Sequence, residues 1–428
     1  MRHLVVTCAL LFLTSSLYAQ SPEIPDFQST WCKDRKDKMN DFIDAKLKVA
    51  MPMNSFALAL WKESKKDQPN PAMSPWSIYT VLAMALGGAK ERTENEMAAA
   101  LGLKEPPSEA WYQLHKSIMS GLICPQPYST TLLSYGNGIF AQTGKALQPK
   151  FVNLMKTAFD TEPLQVDFKK EPEKARKEIN NWIEERTQKR VTDLLGANSI
   201  TSNVRLVLAN AVFIKGTWAM QFGESATRDQ DFHLSEGKTV KAPMMFASGG
   251  ARDFKYYKAK GWSAVSMGTS DHAIEFVVLR PDTVNGLSSI EKSLSAETLS
   301  TLFKGLQAKK VHLYLPKFSS DQSWNLVESL SKIGIKDAFS ANQANFRGID
   351  NGNDQLFIGD IAHKAIVKVD EKGFEGAAAT AAAMPAGGMP PKEEEPIEFV
   401  VDRPFLYLIK DTPTDAIIFI GTVSNPTK

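Results

Sequence analysis

Apolar residues recur at three- and four-residue intervals through Met53, Phe56, Ala57, Leu60 and Trp61, which predicts a helix that buries that face. The run from Asp67 to Pro71 breaks it. A second helix opens at Ser74-Pro75-Trp76-Ser77-Ile78. A serine hydroxyl caps free backbone N–H groups there, and proline, lacking an N–H, suits the first helical position. That helix ends at Gly87-Gly88, and Thr93 and Glu96 have the spacing of a capping box for a third, stopped by Gly102. Helical spacing also covers Trp111 to Leu122, Pro149 to Phe159, and Glu173 to Val191, the last with Ile179, Trp182 and Ile183 on its apolar face.

Strand patterns alternate with these helices. Leu132 to Ala141 reads as a strand. Val204 to Ile214 is almost continuously apolar, the pattern of a strand covered on both faces. Short strands follow at Phe232-His233, Val240 to Met245, and Ala273 to Arg280, then Val311 to Phe318 with a helix ending at Leu330. Ile361 to Lys372 is the next strand-like run, and Phe405 to Ile409 with Ile417 to Val423 reads as a hairpin. The mixture predicts an α+β fold.

One stretch fits neither period. After Ala365 to Val369 the chain becomes almost bare of side chains, with Gly376, three alanines, Thr380 and three more alanines. At a period of two, Phe374, Gly376, Ala378, Thr380, Ala382 and Met384 share one face, and Glu375, Ala377, Ala379, Ala381 and Ala383 the other. A segment that must slip between existing strands without overpacking the layer beneath needs such small residues. Gly373 before it leaves the chain free to reverse.

Composition narrows the class. The chain of 428 residues carries 50 basic and 48 acidic side chains, so bulk nucleic-acid binding is not expected. Arg2, the apolar run Leu4 to Leu13 and the small-residue exit at Tyr18-Ala19 predict a secretory signal over residues 1–19. The run is shorter than the ~20 residues that span a bilayer, and no later stretch approaches that length, so no membrane attachment is expected. Residues 20–50 are expected as an N-terminal extension. Of the three cysteines, Cys8 departs with the signal, and the sequence leaves open whether Cys32 and Cys124 pair. No Asn-x-Ser/Thr acceptor occurs. No nucleophile elbow, zinc signature or phosphate loop is present, so neither metal nor cofactor is expected. Ser266, Ser270 and His272 lie close in sequence by coincidence. An enzyme is therefore not expected.

Several separated motifs together resemble the serpin family. They are the Ser74-Pro75-x-Ser77-Ile78 helix start, the run Leu208 to Phe222, Val311 to Phe318, Ile361 to Lys372, Phe399 to Phe405, and the closing Phe419 to Pro426. They keep the family's order from about residue 53 to residue 428. The resemblance implies a serpin domain over 51–428 with three β-sheets, about nine helices and an exposed reactive-centre loop at about 371–396. It implies a hinge made of Glu371, Lys372, Gly373, Phe374, Glu375, Gly376, Ala377, Ala378, Ala379 and Thr380. Ser74 and Ser77 would line the region where the main sheet parts, and His363 would tie the central strands through Asn210. Trp218 would stand at the top of the sheet, where the loop first comes in.

The implied activity is that of a secreted, extracellular protease inhibitor. A serine or cysteine protease cleaves the loop, its nucleophile is acylated by the newly formed carbonyl end, and the enzyme is trapped as the loop inserts as a new strand. The family's spacing from Gly373 sets the scissile bond at Gly387–Gly388, with Met384, Ala386 and Met389 as alternatives. Small and Met side chains there suit an elastase-like or chymotrypsin-like target. A heparin site is not supported, since the helix around Trp111 to Leu122 offers only His115 and Lys116. A monomer is expected. Two positions depart from the inhibitory pattern: Phe374, where Thr, Ser or Val is usual, is expected to impede insertion, and Gly376 stands where Ala is usual. The alternative is a non-inhibitory serpin acting as a carrier, a chaperone or a plain protease substrate.

Overall fold

A computed structural model describes residues 42–64, 69–123, 130–144, 146–250, 253–352, 356–374 and 395–428. The elements in chain order are α1 (Phe42–Ser64), β1 (Ala72–Met73), α2 (Pro75–Leu86), α3 (Glu91–Ala100), α4 (Glu109–Ile123), β2 (Leu132–Gln142), α5 (Pro149–Phe159), β3 (Leu164–Val166), α6 (Pro172–Arg186) and β4 (Leu206–Thr217). Then come β5 (Arg228–His233), β6 (Thr239–Gly249), β7 (Phe254–Ala259), β8 (Trp262–Gly268), β9 (Ile274–Pro281), α7 (Leu287–Ser293), α8 (Ala296–Gly305), β10 (Gln307–Ala308), β11 (Val311–Pro316) and β12 (Phe318–Asn325). The chain closes with α9 (Val327–Lys332), α10 (Arg347–Asp350), β13 (Ile358–Val369), β14 (Gly373–Phe374), β15 (Ile397–Val400), β16 (Phe405–Asp411) and β17 (Ile417–Val423). These make three sheets and, among the described residues, ten α-helices, as the α+β expectation requires.

The main sheet runs β12-β13-β14-β4-β2-β3, with β13 also paired directly to β4. A seven-stranded sheet runs β1-β17-β16-β9-β8-β7-β10, and a four-stranded one β15-β11-β6-β5. Strand β4 shows why the main sheet lies inside the molecule. Its Leu206, Leu208, Val212 and Ile214 face the large core, while Val207, Ala209, Ala211 and Phe213 face a second cluster with Ile179 and Ile183 of α6. Alternate residues of a strand point to opposite faces, so an unbroken apolar run needs cover on both. Helix α2 is buried all round, which its near-absence of charge allows. Ser74 caps it as expected, its Oγ accepting the Ser77 N–H at 3.3 Å, with Pro75 at the first position.

Several sequence expectations change. The capping box at Thr93 and Glu96 is not formed: α3 starts after Lys90, which makes no side-chain cap. Thr93 Oγ1 instead accepts the Asn345 N–H at 3.0 Å, and the Glu96 carboxylate accepts the N–H groups of Lys336 and Asp337. Tertiary partners outcompeted the local cap. Helix α6 stops at Arg186, short of Val191, because Gln188 and Lys189 take φ of 53° and 59°. The run Val311 to Phe318 divides at Lys317 between two sheets. Helix α1 begins at Phe42, inside the stretch read as an extension. The signal and Cys8, Cys32 and Cys124 lie outside the described residues.

Candidate functional site: the polar tie and the hinge of the main sheet

Three polar side chains interrupt the apolar layer beneath the main sheet at one level. His363 of β13 is the register partner of Asn210 on β4, and Asn210 is the partner of Asn137 on β2. His363 Nε2 accepts the backbone N–H of Ser74 at 3.0 Å, so Nδ1 carries the proton and donates to Asn210 Oδ1. Asn210 Nδ2 donates to Ser77 Oγ at 2.6 Å and also to Asn137 Oδ1. Ser77 Oγ in turn donates to Asn137 Oδ1 at 3.0 Å. His363, Asn210, Ser74 and Ser77 are wholly buried. Burial pushes the His363 pKa down to about 3, against the opposing pull of its bond to Asn210. The ring is therefore neutral, with its tautomer fixed by its two partners. The start of α2 and three central strands are joined by one buried network.

Above this level β13 and β4 separate. Their direct pairing ends at Ile366 and Phe213, and β14 fills the gap. Phe374 pairs with Val369 on one side and with Gly216 on the other, and Gly373 pairs with Thr217. The Phe374 ring is wholly buried, edge to face with Trp218 at 5.2 Å and near-parallel to Phe276 at 6.5 Å. Glycine is required at both facing positions. A Cβ on Gly216 would stand 2.5 Å from the Phe374 ring, and one on Gly373 would stand 1.8 Å from the Gly216 carbonyl oxygen. Phe374, expected to impede insertion, is seated in the sheet between β13 and β4.

The turn before it is clamped from several sides. Trp218 donates its indole N–H to the Asp370 carbonyl at 2.9 Å and its backbone N–H to Lys372 O at 3.0 Å. Phe222 N–H donates to Glu371 O at 3.0 Å, and Lys372 Nζ lies 3.2 Å from Glu224. The Glu371 carboxylate accepts from Lys317 Nζ and from Thr227 Oγ1, both at 2.7 Å. Burial works against its charge, but these two donors and the Lys317 cation prevail and hold its pKa below the usual carboxylate range.

The structure thus brings Ser74, Ser77, Asn210 and His363 together at mid-sheet, and Trp218 with Glu371, Lys372, Gly373 and Phe374 at its top. Glu375, Gly376, Ala377, Ala378, Ala379, Thr380 and the reactive-bond candidates Met384, Ala386, Gly387, Gly388 and Met389 lie outside the described residues. The far side of that stretch returns as β15, parallel to β11 in the four-stranded sheet, so the two ends of the loop belong to different sheets. Sequence reasoning missed Asn137, a lone amide in an apolar strand between Gly136 and Gly138. Its pairing with Asn210 follows from the β2–β4 register, which only the folded sheet defines. It also missed Lys317 and Thr227, which no local pattern connects to Glu371. Ser266 donates to Glu275 and Ser270 bonds Thr130, pairings in which His272 takes no part. The face of α6 is partly self-paired, with Arg176 on Glu173 and Lys174 on Glu171.

Comparison with known proteins agrees with this geometry. The family model described as Serpin (serine protease inhibitor) matches residues 51–426. An uncharacterized serpin-like protein of Thermococcus kodakarensis is 34% identical over 88% of this chain and 86% of its own. The leukocyte elastase inhibitor of Bos taurus is 32% identical over 87% of this chain and 97% of its own. Among solved structures, human thyroxine-binding globulin superposes with a TM-score of 0.79 at 28% identity, covering 90% of this chain and 100% of that one. With a parted sheet, a seated hinge and a family match over most of its length, the chain belongs to the serpin family.

Proposed function

We propose that this serpin is a secreted suicide-substrate inhibitor of an elastase-like or chymotrypsin-like serine protease. The observation that carries this reading is the seat of Gly373 and Phe374 between β13 and β4, in register with both. If both pairings continue unchanged, the α2 side of the sheet receives Gly376, Ala378, Thr380, Ala382 and Met384. The row opened by Glu375 turns toward α6. Thr380 then falls opposite both His363 and Asn210, where its hydroxyl exchanges with the bond that ties those strands. Met384 reaches Leu206, the foot of β4. A bond at Gly387–Gly388 lies just beyond that foot, so nearly the whole arm becomes interior strand.

In the chemical step the protease serine oxygen attacks the scissile carbonyl, and the amine of the next residue leaves with a proton. An ester joins the enzyme to the arm. Insertion drags the enzyme along the sheet and distorts its oxyanion site. Loss of one such donor costs ~10²–10³ in deacylation rate. Strand insertion with release of stored strain is a general mode of serpin action. The secretory pattern of residues 1–19 supports an extracellular setting, and the elastase inhibitor among the relatives supports the target class.

A non-inhibitory reading has one observation behind it. Phe374 is anchored among Trp218 and Phe276, and burying a phenylalanine stabilises by ~1.5–3 kcal/mol. A hinge so anchored fits a carrier as well as an inhibitor. Incubation with neutrophil or pancreatic elastase followed by a denaturing gel separates the two. An adduct near the summed mass is expected, and clean cleavage with no adduct would favour the carrier.

A further inference from the structure

The gap in the main sheet is wedge-shaped. At the level of Gly216 and Thr217 a strand already stands between β4 and β13, whereas from Phe213 down to Leu206 those two strands pair directly. A new strand in the closed part needs ~4.8 Å of added spacing. The block of β4, β2, β3 and α6 supplies it without widening the top if it swings about its upper end. A shift of ~4.8 Å over the roughly 36 Å from Thr217 to Leu206 is a turn of about 8°. The His363–Asn210 bond lies in the closed part and must open. A swing of this kind requires a fixed point at the upper end.

The turn between β8 and β9 provides one. It belongs to the seven-stranded sheet, not to the sheet that parts. It holds β4 through backbone: Ser270 N–H donates to Thr217 O and Ala219 N–H to Gly268 O, both at 2.9 Å, and Trp218 is bridged to Thr269. It holds β2 through one carboxylate. Asp271 Oδ2 accepts the N–H groups of Thr130 at 3.0 Å and Thr131 at 2.8 Å, and Oδ1 accepts the Thr131 hydroxyl at 3.0 Å. The same Oδ1 takes the Thr269 hydroxyl at 2.6 Å and the Ala273 N–H at 3.2 Å, which fixes the carboxylate within its own turn. Thr130 and Ser270 add a hydroxyl pair at 2.6 Å. Hydrogen bonds to an ionised acceptor are about twice as strong as neutral ones. Because Leu132 pairs with Lys215, Thr130 and Thr131 stand level with Thr217 and Gly216, the residues that face β14. The fastening therefore lies where the swing has no amplitude.

We propose that Asp271 is a positioning residue for strand insertion: it pins the upper end of β2 to the seven-stranded sheet, so that the block opens from β14 downward by rotation. Without the pin the upper end shifts away from β14, insertion slows, and deacylation of the protease wins more often. The effect on trapping rests on the inhibitory reading above, whereas the pin itself requires only that a cleaved arm inserts.

The test compares the full chain with Asp271→Asn, which keeps the shape and removes the charge, and with Thr131→Val, which removes one hydroxyl bond. Ile290→Val, in the buried face of α7 against β9 and β16, is a control that lowers the Tm without touching the pin. After incubation with elastase, the ratio of cleaved protein to adduct should rise about ten-fold in Asp271→Asn, the rate equivalent of one charge-assisted bond. It should rise less in Thr131→Val and stay level in Ile290→Val. No rise in Asp271→Asn, or an equal rise in Ile290→Val, overturns the pin and leaves the inhibitory reading standing. Hydrogen exchange reads the pin without an adduct. In the loop-cleaved chain the amides of Thr130 and Thr131 should exchange no faster than in the intact one, and faster exchange overturns the pivot. If elastase gives no adduct while cleavage raises the Tm, trapping falls and exchange alone judges the pin. If cleavage leaves the Tm unchanged, no arm inserts and both readings fall.

Discussion

His363 and Asn210 stand opposite one another on neighbouring parallel strands, and the remaining ring nitrogen of His363 takes the backbone N–H of Ser74. The pair closes the middle of the main sheet and fastens it to the start of α2. Replacing His363 with Ala leaves the Ser74 N–H and the Asn210 carbonyl oxygen buried without partners. Each orphan costs ~1–3 kcal/mol, so a lower Tm is expected in thermal denaturation.

The pH dependence follows from the same burial. The His363 pKa is lowered to about 3 in the folded chain, so its contribution is full above the unfolded value near 6.5 and is lost as pH falls toward 3. His115, wholly enclosed against Tyr79, Trp111 and Phe159 and lowered to about 4, acts in the same direction. The Tm should fall between pH 7 and pH 4, and the fall should be shallower in His363→Gln. An equally steep fall in that variant would assign the effect to other groups.

Asp360 gives the opposite sign. Burial raises its pKa to about 6, with Asn325 Nδ2 donating to it at 2.7 Å. A raised carboxyl stabilises the folded state at low pH, and that contribution is lost as pH rises through 6. Asp360→Asn should therefore raise the Tm at pH 8 by the equivalent of ~3 kcal/mol and change it little at pH 4. Melting curves at the two pH values check this.

Phe374 holds β13 and β4 apart where β14 enters. Phe374→Thr removes a buried ring at a cost of ~3 kcal/mol and lets the top of the sheet close. The native Tm should fall, and a larger share of the protein should be cleaved as plain substrate by elastase. An unchanged partition between adduct and cleaved product would mean that the wedge does not prepare insertion.

Gly373 has no room for a side chain, its Cβ position lying 1.8 Å from the Gly216 carbonyl oxygen. Gly373→Ala should expel β14 from the sheet at a cost of ~1–3 kcal/mol. Limited proteolysis near 370–374 should then become faster than in the unaltered chain, with the Tm reduced.

Where sequence and structure part company, the cause is range. The helix start at Ser74-Pro75 was legible because capping is decided within three residues. Strand β4 was legible because a run covered on both faces can only be apolar. The hairpin of β7 and β8 left little trace, since Lys255, Tyr256, Tyr257 and Lys258 mix exposed and half-buried positions on a short strand. Thr93 and Glu96 carried a local signal that distant partners overrode. His363, Asn210 and Trp218 were found through family resemblance, while Lys317 and Thr227 had no signal at all.

The order of apolar and polar residues thus set many of the strands, most helices and the small-residue arm, because period and capping act between neighbours along the chain. Only the tertiary structure decided that Phe374 is already housed in the sheet, that Glu371 is held by Lys317, and that Asn137 completes the buried network. Those arrangements depend on which distant segments share one layer, and side chains far apart in the chain meet only after the sheets have packed.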